Sequence, residues 1–308
     1  MMKRFMSVAA LLLAFSTGAA LAHGTGHTTS AAPNSAPWGA SYFPNVPLVT
    51  HEGKTVQFYD ELIKDKRVLI NFIFTECTDM CPLATAKLAQ VQKMLGARVG
   101  QEIFIYSISL DPEHDTPEAL KAYAAKYGAG PGWLFLTGTR QNIDAVRFKL
   151  GERRDKEEHL NALRVGNGAK GQWMRLPLDS DLNYLVTEIG KTLDPNWYAG
   201  KTPKSFDQAP RVAIAGKGQL VFQNKCTACH TLGKGELLAP DLKDVSARRE
   251  RAWLLRYLSA PEKMRAANDP IALELAKQAK VPMPNLGLTR SEVTELVDYL
   301  EGLNHPHH

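Results

Sequence analysis

Apolar residues follow two spacings along this chain, and each spacing predicts a kind of secondary structure. Residues 67–74 (RVLINFIF) and 102–110 (EIFIYSISL) are nearly continuous apolar, β-branched and aromatic runs, typical of strands buried on both faces of a sheet. Residues 83–95, 116–127 and 181–193 instead carry apolar side chains at helical spacing. This alternation predicts a mainly parallel sheet covered by helices.

The chain changes character after about residue 193. Residues 194–210 (DPNWYAGKTPKSFDQAP) contain three prolines and no periodic pattern, which indicates a linker. Every element predicted beyond it is a helix, and in the last one Thr289 and Glu292 form a capping box. The pattern therefore predicts an α/β domain over residues 42–193 and an all-α domain over residues 211–303, with a disordered tail at 304–308.

The first residues predict a secretory signal peptide over residues 1–22. Lys3 and Arg4 precede an apolar stretch, and Ala20-Leu21-Ala22 has the small-x-small pattern of a cleavage site. Because the stretch is well short of the roughly 20 residues that span a bilayer, cleavage after about Ala22 is favoured over a retained anchor. Residues 23–41, rich in Gly, Ser, Thr, Ala and Pro, would then be a flexible tether. We expect a periplasmic protein that meets the membrane only peripherally, if at all.

Composition narrows the function classes. With 308 residues, 44% of them hydrophobic and 22% charged, the chain is typical of a globular protein. Its formal charge of +5 is not gathered into a Lys/Arg block, so we expect no nucleic-acid partner. Its four cysteines are too few for a disulfide scaffold, but they form two close pairs.

The second cysteine pair predicts a haem. In Cys226-Thr-Ala-Cys229-His230 two thiols can bond one haem covalently while the adjacent imidazole reaches the iron. The alternative is a zinc or disulfide C-x-x-C that happens to precede a histidine. Electron-transfer haems commonly take Met as the second axial ligand. Met283, between two prolines, is preferred over Met264, which lies in a helical stretch where Met is usually core filler.

This part of the chain resembles a single-haem class I cytochrome c over about residues 211–303. The likeness rests on the C-x-x-C-H motif, on Gly218 and Phe222 before it, and on Pro240, Leu242, WLLRYL at 253–258 and MPNL at 283–286 after it. In that family the first and last helices cross at a small residue and an aromatic one, roles that Gly218 and Tyr299 fit. The resemblance implies one covalently bound haem c and electron exchange with other redox proteins.

The first cysteine pair lies at the end of a buried strand, in Thr75-Glu-Cys77-Thr-Asp-Met-Cys81-Pro82. In α/β proteins the carboxyl edge of the sheet is where sites tend to lie. Pro82 suits the first helical position, so we expect Cys81 to cap the helix, where the helix dipole favours thiolate. Two thiolates suit Cu(I) and, with an added nitrogen, Cu(II). The C-x-x-x-C loop, one residue wider than that of ordinary dithiol oxidoreductases, can chelate a metal and still close to a disulfide.

A third copper ligand is sought among the histidines. His51 lies in a predicted turn and His114 beside a helix start, while His159 precedes a predicted hairpin (ALRVGNGAKGQWMRL) with its turn expected at residues 166–168. Position alone does not choose among them, because a single loop histidine is most often exposed and without function.

The α/β part resembles the Sco/SenC family of thioredoxin-fold copper proteins over about residues 42–193. The likeness rests on FPNVPL at 43–48, NFIFTECTDMCP at 71–82, LDPEHDTP at 110–117 and GWLFLTG at 132–138. In that family the cysteines of C-x-x-x-C-P and one distant histidine bind copper, which maps onto Cys77, Cys81 and, in Glu158-His159-Leu160, His159. The family's usual context is Asp-His-Ser, so the histidine departs from the pattern.

Together these resemblances imply a periplasmic metallochaperone of the Sco type carrying a haem. Its client would be a copper-receiving or dithiol protein, for which a cytochrome c oxidase subunit is a candidate. The alternative is a thiol-disulfide oxidoreductase in which Cys77 and Cys81 are the redox-active pair and pass electrons between a client dithiol and the haem. A third hypothesis is a plain electron carrier whose first domain only docks a partner. The sequence therefore does not decide whether the protein is an enzyme.

Overall fold

The computed structural model describes residues 38–194, 196–197 and 215–303. The predicted signal peptide, most of the tether, most of the linker and the predicted tail lie outside these residues. None of the helices in the described part has both the length and the apolar character needed to cross a membrane.

The first domain is built on one mixed sheet in which the described strands lie in the order β2-β1-β5-β4-β3-β6-β7. The three central strands β5, β4 and β3 run parallel, while β1 and β6 join them antiparallel. The expectation of a mainly parallel sheet was therefore wrong, because both edges of the sheet are antiparallel hairpins, β1-β2 and β6-β7. The strands are β1 Pro47–Thr50, β2 Thr55–Gln57, β3 Arg67–Ile73, β4 Ile103–Ser109, β5 Trp133–Thr137, β6 Ala162–Asn167 and β7 Gln172–Pro177.

Helices cover both faces of this sheet, which confirms the predicted α/β domain. They are α1 Met80–Leu95, α2 Pro117–Tyr127, α3 Arg140–Lys149 and α4 Leu182–Leu193. Strand β3 shows why its sequence is apolar throughout: Leu69 and Ile73 pack into the core under α1, α2 and α4, whereas Val68, Ile70 and Phe72 pack into the core on the other face. The unit β3-α1-β4, followed by β6-β7-α4, is the thioredoxin-like arrangement.

The predicted hairpin forms, but its turn was placed wrongly. Strands β6 and β7 pair as far as Asn167 opposite Gln172, so residues 168–171 make the turn and not residues 166–168. Gly166 pairs with Trp173 inside the ladder, and a Cβ on Gly166 would lie 2.5 Å from the Trp173 ring. The glycine at 166 therefore makes room for the indole and does not turn the chain.

The described part of the second domain is helical throughout, as predicted. Its helices are α5 Lys217–Lys225, α6 Val245–Arg248, α7 Arg251–Ser259, α8 Pro261–Ala266, α9 Pro270–Gln278 and α10 Arg290–Gly302. The capping box of Thr289 and Glu292 is present at the start of α10. Helices α5 and α10 cross so closely that a Cβ on Gly218 would overlap the Glu295 carbonyl and crowd Tyr299, which confirms the predicted crossing.

The described residues of both domains pack into one compact unit. Ala228, Leu238, Val281 and Leu286 of the second domain belong to the same apolar core as Leu83 of α1. Polar contacts join the domains as well: Gln90 Nε2 donates to the Ala228 carbonyl at 3.4 Å, Lys225 Nζ lies 3.7 Å from Asp179 Oδ2, and Asn285 N donates to the Thr78 carbonyl at 3.2 Å.

Candidate copper and haem sites

The first cysteine pair lies between the end of β3 and the first turn of α1. Cys77 is half-buried in the loop, and Cys81 is fully buried. The helix begins at Met80 with Asp79 as its N-cap, so Cys81 lies inside the first turn; the prediction that Cys81 itself caps the helix was wrong. Pro82 is accommodated in that turn because the first amide groups of a helix have no partner within it.

The two thiols differ in acidity. A hydrogen bond from the Cys81 thiol lowers the pKa of Cys77 to about 7, against an opposing effect of burial. Burial raises the pKa of Cys81 well above its usual value, and the neighbouring Cys77 adds to this. The expectation that the helix dipole favours thiolate at Cys81 was therefore wrong, because desolvation outweighs it. In the reduced pair Cys77 is the thiolate and Cys81 the thiol that donates to it.

His159 is the histidine that reaches the cysteines. Its Nε2 lies 3.4 Å from Cys81 Sγ, and its Nδ1 donates to the Lys156 carbonyl at 2.6 Å. That bond fixes the tautomer and leaves the Nε2 lone pair facing the sulfur. Burial lowers the pKa of His159, which keeps the imidazole neutral, the form that binds metals.

The other two candidate histidines lie elsewhere. His51 lies beside strand β5, where its Nδ1 accepts from the Phe135 backbone N–H at 3.2 Å. His114 is mostly exposed and contacts Asp111 through Nδ1 at 3.0 Å. Of the three predicted candidates, only His159 lies against a cysteine.

Two aspartates that the sequence had offered only as part of a resemblance hold the loops of this site. The buried carboxylate of Asp115 accepts from Thr75 Oγ1 at 2.5 Å and from Ser109 Oγ at 2.5 Å, which anchors the start of the cysteine loop. Asp111 Oδ2 accepts from Lys156 Nζ at 2.6 Å, and the Lys156 carbonyl in turn holds His159. Both aspartates follow β4 at the carboxyl edge of the sheet, and that position was the available signal.

A buried ion pair holds the loop of His159 from its other side. Glu152 Oε2 lies 3.0 Å from Arg164 Nη2, and the two side chains are 0% and 3% exposed. The same carboxylate oxygen accepts from the Leu160 backbone N–H at 3.1 Å, next to His159. Position 159 is thus fixed through backbone contacts on both sides.

The three copper-ligand candidates contact one another as a row, from Cys77 through Cys81 to His159, but they do not surround a common point. The Cys81 thiol donates a hydrogen bond to Cys77 and also contacts His159, yet within the described residues no three His, Cys, Asp or Glu side chains are gathered closely enough to hold a metal ion. Cys77 and His159 line one open cavity together with Glu76, Asp79 and Glu157. Two sulfurs and one imidazole are nevertheless a donor set that fits Cu(I).

A mainly apolar cavity in the second domain brings the predicted haem ligands together. Its empty volume is about 1130 Å³, which includes the solvent-filled space at its open side. Cys226, Cys229, His230 and Met283 all line it, whereas Met264 lines a different groove. Apolar side chains supply most of the remaining lining, including Leu242, Trp253, Leu254, Tyr257, Leu286 and Leu296.

The orientation of His230 fits a haem in this cavity. Its Nδ1 donates to the Pro240 carbonyl at 2.7 Å, which leaves Nε2 free for an iron atom. Arg265 Nη1 donates to the Met283 carbonyl at 2.9 Å and so fixes the segment that carries the second candidate ligand.

Asp241, which the sequence did not single out, organises the loop after His230. Its carboxylate accepts from the Thr231 hydroxyl and from the backbone N–H groups of Gly233, Lys234, Gly235 and Lys243. These bonds hold the pKa of Asp241 far below its usual value. They also fix Pro240, the residue whose carbonyl orients His230.

A thioredoxin-like domain with a C-x-x-x-C pair at the carboxyl edge of its sheet, followed by a helical domain with a C-x-x-C-H cavity, defines a class of two-domain protein with two cysteine-containing sites. The SCO1/SenC family model matches residues 40–162 and the cytochrome c family model matches residues 215–304. The chain therefore joins a SCO1/SenC domain to a cytochrome c domain, as both resemblances implied.

Curated relatives match the first domain. A SCO1 protein homolog of Bacillus subtilis is 41% identical over 92 residues, which are 30% of this chain and 46% of that protein. A SCO2-like protein of Rickettsia conorii is 31% identical over 150 residues, 48% of this chain and 66% of that protein. The chain thus spans about half to two thirds of the length of these relatives. Among solved structures, Arabidopsis thaliana ScoI with copper bound is 21% identical and aligns with 50% of this chain and 99% of its own, at a TM-score of 0.43.

Proposed function

We propose that this protein is a periplasmic copper-binding metallochaperone of the Sco type that carries a covalent haem for electron transfer. Cys77, Cys81 and His159 would bind the copper cargo. Cys226 and Cys229 would form the thioether bonds, with His230 and Met283 as axial ligands. The observation that carries the proposal is the contact of 3.4 Å between His159 Nε2 and Cys81 Sγ, with Nδ1 already committed to a backbone carbonyl.

Copper binding would bring together three donor side chains that already lie near one another in the metal-free protein. The Cys77 thiolate is ready to bind at neutral pH, while Cys81 would release its proton to the metal as it binds. The three donors do not surround one point, so the side chains of Cys77, Cys81 and His159 would have to converge on the metal as it binds. Cys77, on the open cavity, is the ligand that a client could reach first. A copper-receiving subunit of cytochrome c oxidase is the client we propose.

The haem domain would exchange electrons with the copper site. A haem with His and Met ligands supplies a one-electron couple of high potential. Copper also changes by one electron, whereas closing a disulfide from the Cys77 thiolate and the Cys81 thiol releases two electrons and one proton. The copper-bound form of Cys77, Cys81 and His159 is therefore the simpler redox partner. We propose that this exchange sets the oxidation state of copper during transfer.

A second candidate function is a thiol-disulfide oxidoreductase, favoured by the acidity of the cysteines. A half-exposed thiolate with a pKa of about 7, bonded to a buried thiol, is the arrangement of an attacking and a resolving cysteine. Protein dithiols have potentials of roughly −120 to −270 mV, so electrons would run downhill from Cys77 and Cys81 toward a high-potential acceptor.

A Cu(I) competition titration of the reduced, haem-loaded protein separates the two functions. We expect one Cu(I) per chain, and an affinity at least 100-fold lower in His159→Ala, because the variant loses a ligand and not only a supporting contact. His114→Ala is the matched control, since this loop histidine is held at Asp111 away from the cysteines. A Cu(I) affinity that is unchanged in His159→Ala would instead support the thiol-disulfide oxidoreductase.

Transfer to a client is the next test. Mixing the Cu(I)-loaded protein with an apo copper domain of a cytochrome c oxidase subunit should move the metal to that domain. Metal that stays on this chain would rule out the proposed client.

A further inference from the structure

Residues 283–287, here called the dividing segment, form a wall shared by the two candidate sites. Met283, Pro284 and Leu286 line the haem cavity. Asn285 and Gly287 line the cavity that holds Cys77 and His159. Since the residues on the two sides nearly alternate, a single thickness of chain separates the two sites.

Asn285 is the residue through which this segment is held on both sides. Its backbone N–H donates to the carbonyl of Thr78, which lies between Cys77 and Cys81, at 3.2 Å. Its side-chain Nδ2 donates to Glu262 Oε1 at 3.2 Å, and its Oδ1 accepts from the Gly287 backbone N–H at 3.0 Å. The cysteine loop, helix α8 and the Met283 segment therefore meet at one asparagine.

We infer that Asn285 is a positioning residue for both sites and couples metal binding at the cysteines to the state of the haem. The inference rests on the proposed function and adds to it a specific route inside the chain. Metal binding would reposition the side chains of Cys77 and Cys81, because their donors and His159 do not yet surround one point. Thr78 lies between these two cysteines, so a change in their loop would reach the dividing segment, and Met283 with it, through the Thr78 carbonyl.

Coupling of this kind is reciprocal. If metal binding at Cys77 and Cys81 changes the reduction potential of the haem through Met283, then the oxidation state of the haem must change the affinity for the metal. Both changes express the same coupling free energy. The side chain of Asn285 keeps its backbone N–H aimed at Thr78 through the bonds to Glu262 and Gly287. Removing that side chain should loosen the link, while the side chains of Cys77, Cys81, His159 and Met283 all remain available as ligands.

The test measures the Kd of Ag(I) for the reduced-thiol protein with ferric and with ferrous haem. Ag(I) shares the preference of Cu(I) for soft sulfur ligands, and it is supplied as a soft-ligand complex so that no free ion is present to oxidise the ferrous haem. We expect the two values to differ by roughly tenfold, within the usual range of coupling between sites. In Asn285→Ala the difference should fall below about twofold. Addition of Ag(I) should also perturb the visible spectrum of the haem in the wild-type protein and not in the variant.

Three further variants make the result specific. Glu262→Ala removes the partner of Asn285 Nδ2 and should reduce the coupling in the same way, while Glu262→Gln keeps an oxygen acceptor and should retain it. Asn142→Ala removes an asparagine whose side chain also donates one hydrogen bond, to the Pro47 carbonyl and away from both sites, and should leave the coupling unchanged.

The outcomes separate this inference from the function beneath it. Equal Ag(I) affinity for both haem states in the wild-type protein, or a difference that Asn285→Ala leaves intact, overturns the inference while copper binding stands. Failure of the wild-type protein to bind either Ag(I) or Cu(I) overturns the proposed function itself.

Discussion

The two candidate sites are built in opposite ways. Around Cys77 and His159, buried charged groups do the positioning: Asp115 holds the cysteine loop, while Asp111 and the Glu152–Arg164 pair hold the histidine loop. Around His230, apolar side chains form a cavity and backbone carbonyls orient the ligands. The difference fits the proposed function. Copper that must leave would be held on loops beside an open cavity, whereas a haem that stays would be enclosed by an apolar core.

The largest effect is expected from breaking the charged framework of the first site. Glu152→Ala would leave Arg164 buried without its carboxylate, and loss of one partner of a buried pair costs about 3–5 kcal/mol. Urea denaturation should show a fall of that size in the free energy of unfolding. The exposed Glu52→Ala is the control and should change it by less than about 0.5 kcal/mol. A loss under about 1 kcal/mol in Glu152→Ala would show that this framework is not what holds the loop.

The corresponding substitution in the second domain disturbs the packing of helices α5 and α10. Gly218→Ala places a methyl group against the Glu295 carbonyl and Tyr299, so α5 and α10 must separate at a cost of about 1–3 kcal/mol. Thermal unfolding followed at the haem band should report the loss. Gly302→Ala, on the same helix α10 with open space around it, should leave the stability unchanged or slightly raised. Equal stability of the two variants would contradict the close crossing.

Replacing each of two methionines by alanine tests which one is the second axial ligand of the haem. Met283→Ala should alter the visible spectrum of the haem and lower its reduction potential by on the order of 0.1 V, a fraction of the roughly 0.8 V range that axial ligands span. Met264→Ala, in a separate groove, should change neither. Redox titration of both variants checks this, and a shift in Met264→Ala alone would reverse the assignment.

The smallest expected effect is a pH profile at the open side of the first site. Thiolate is the reactive form, so alkylation of Cys77 by iodoacetamide should rise with pH and reach half its maximum rate near pH 7, falling about tenfold per unit below that. Cys81, buried and with a raised pKa, should remain unlabelled over the same range. Mass spectrometry of the labelled metal-free protein identifies the site. Half-maximal labelling near pH 9, or Cys81 modified first, would contradict the assigned roles.

Sequence patterns predicted the elements far better than their electrostatics. The runs at β3 and β4 and the capping box of α10 are local signals, and the structure has all three. The acidity of Cys81 could not be read in this way, because it depends on how deeply a helix N-terminus is covered by residues distant in sequence. Gly166 was misread for a similar reason, since the side chain that requires it, Trp173, lies across the strand pair.

The candidate ligands could be predicted because motif and resemblance name residue types, but the groups that support them could not. Asp115 and Asp111 act across the sheet edge on Thr75 and Lys156, and such pairings follow from topology and not from spacing. The domain boundaries, the signal peptide and its cleavage after about Ala22 stay predictions, as do the individual site roles. The contact of Asn285 with Thr78 had no signal at all in the chain.

The burial of Ala228 has a consequence for how the protein matures. Ala228 stands between the two cysteines of the C-x-x-C-H motif, is 1% exposed, and packs in the same core as α1 of the first domain. Under the proposed function, bonding a haem to Cys226 and Cys229 would need that stretch of chain uncovered. The haem would then be bound before the two domains pack against each other. The interface between the domains would in this way set the order of the steps by which the protein matures.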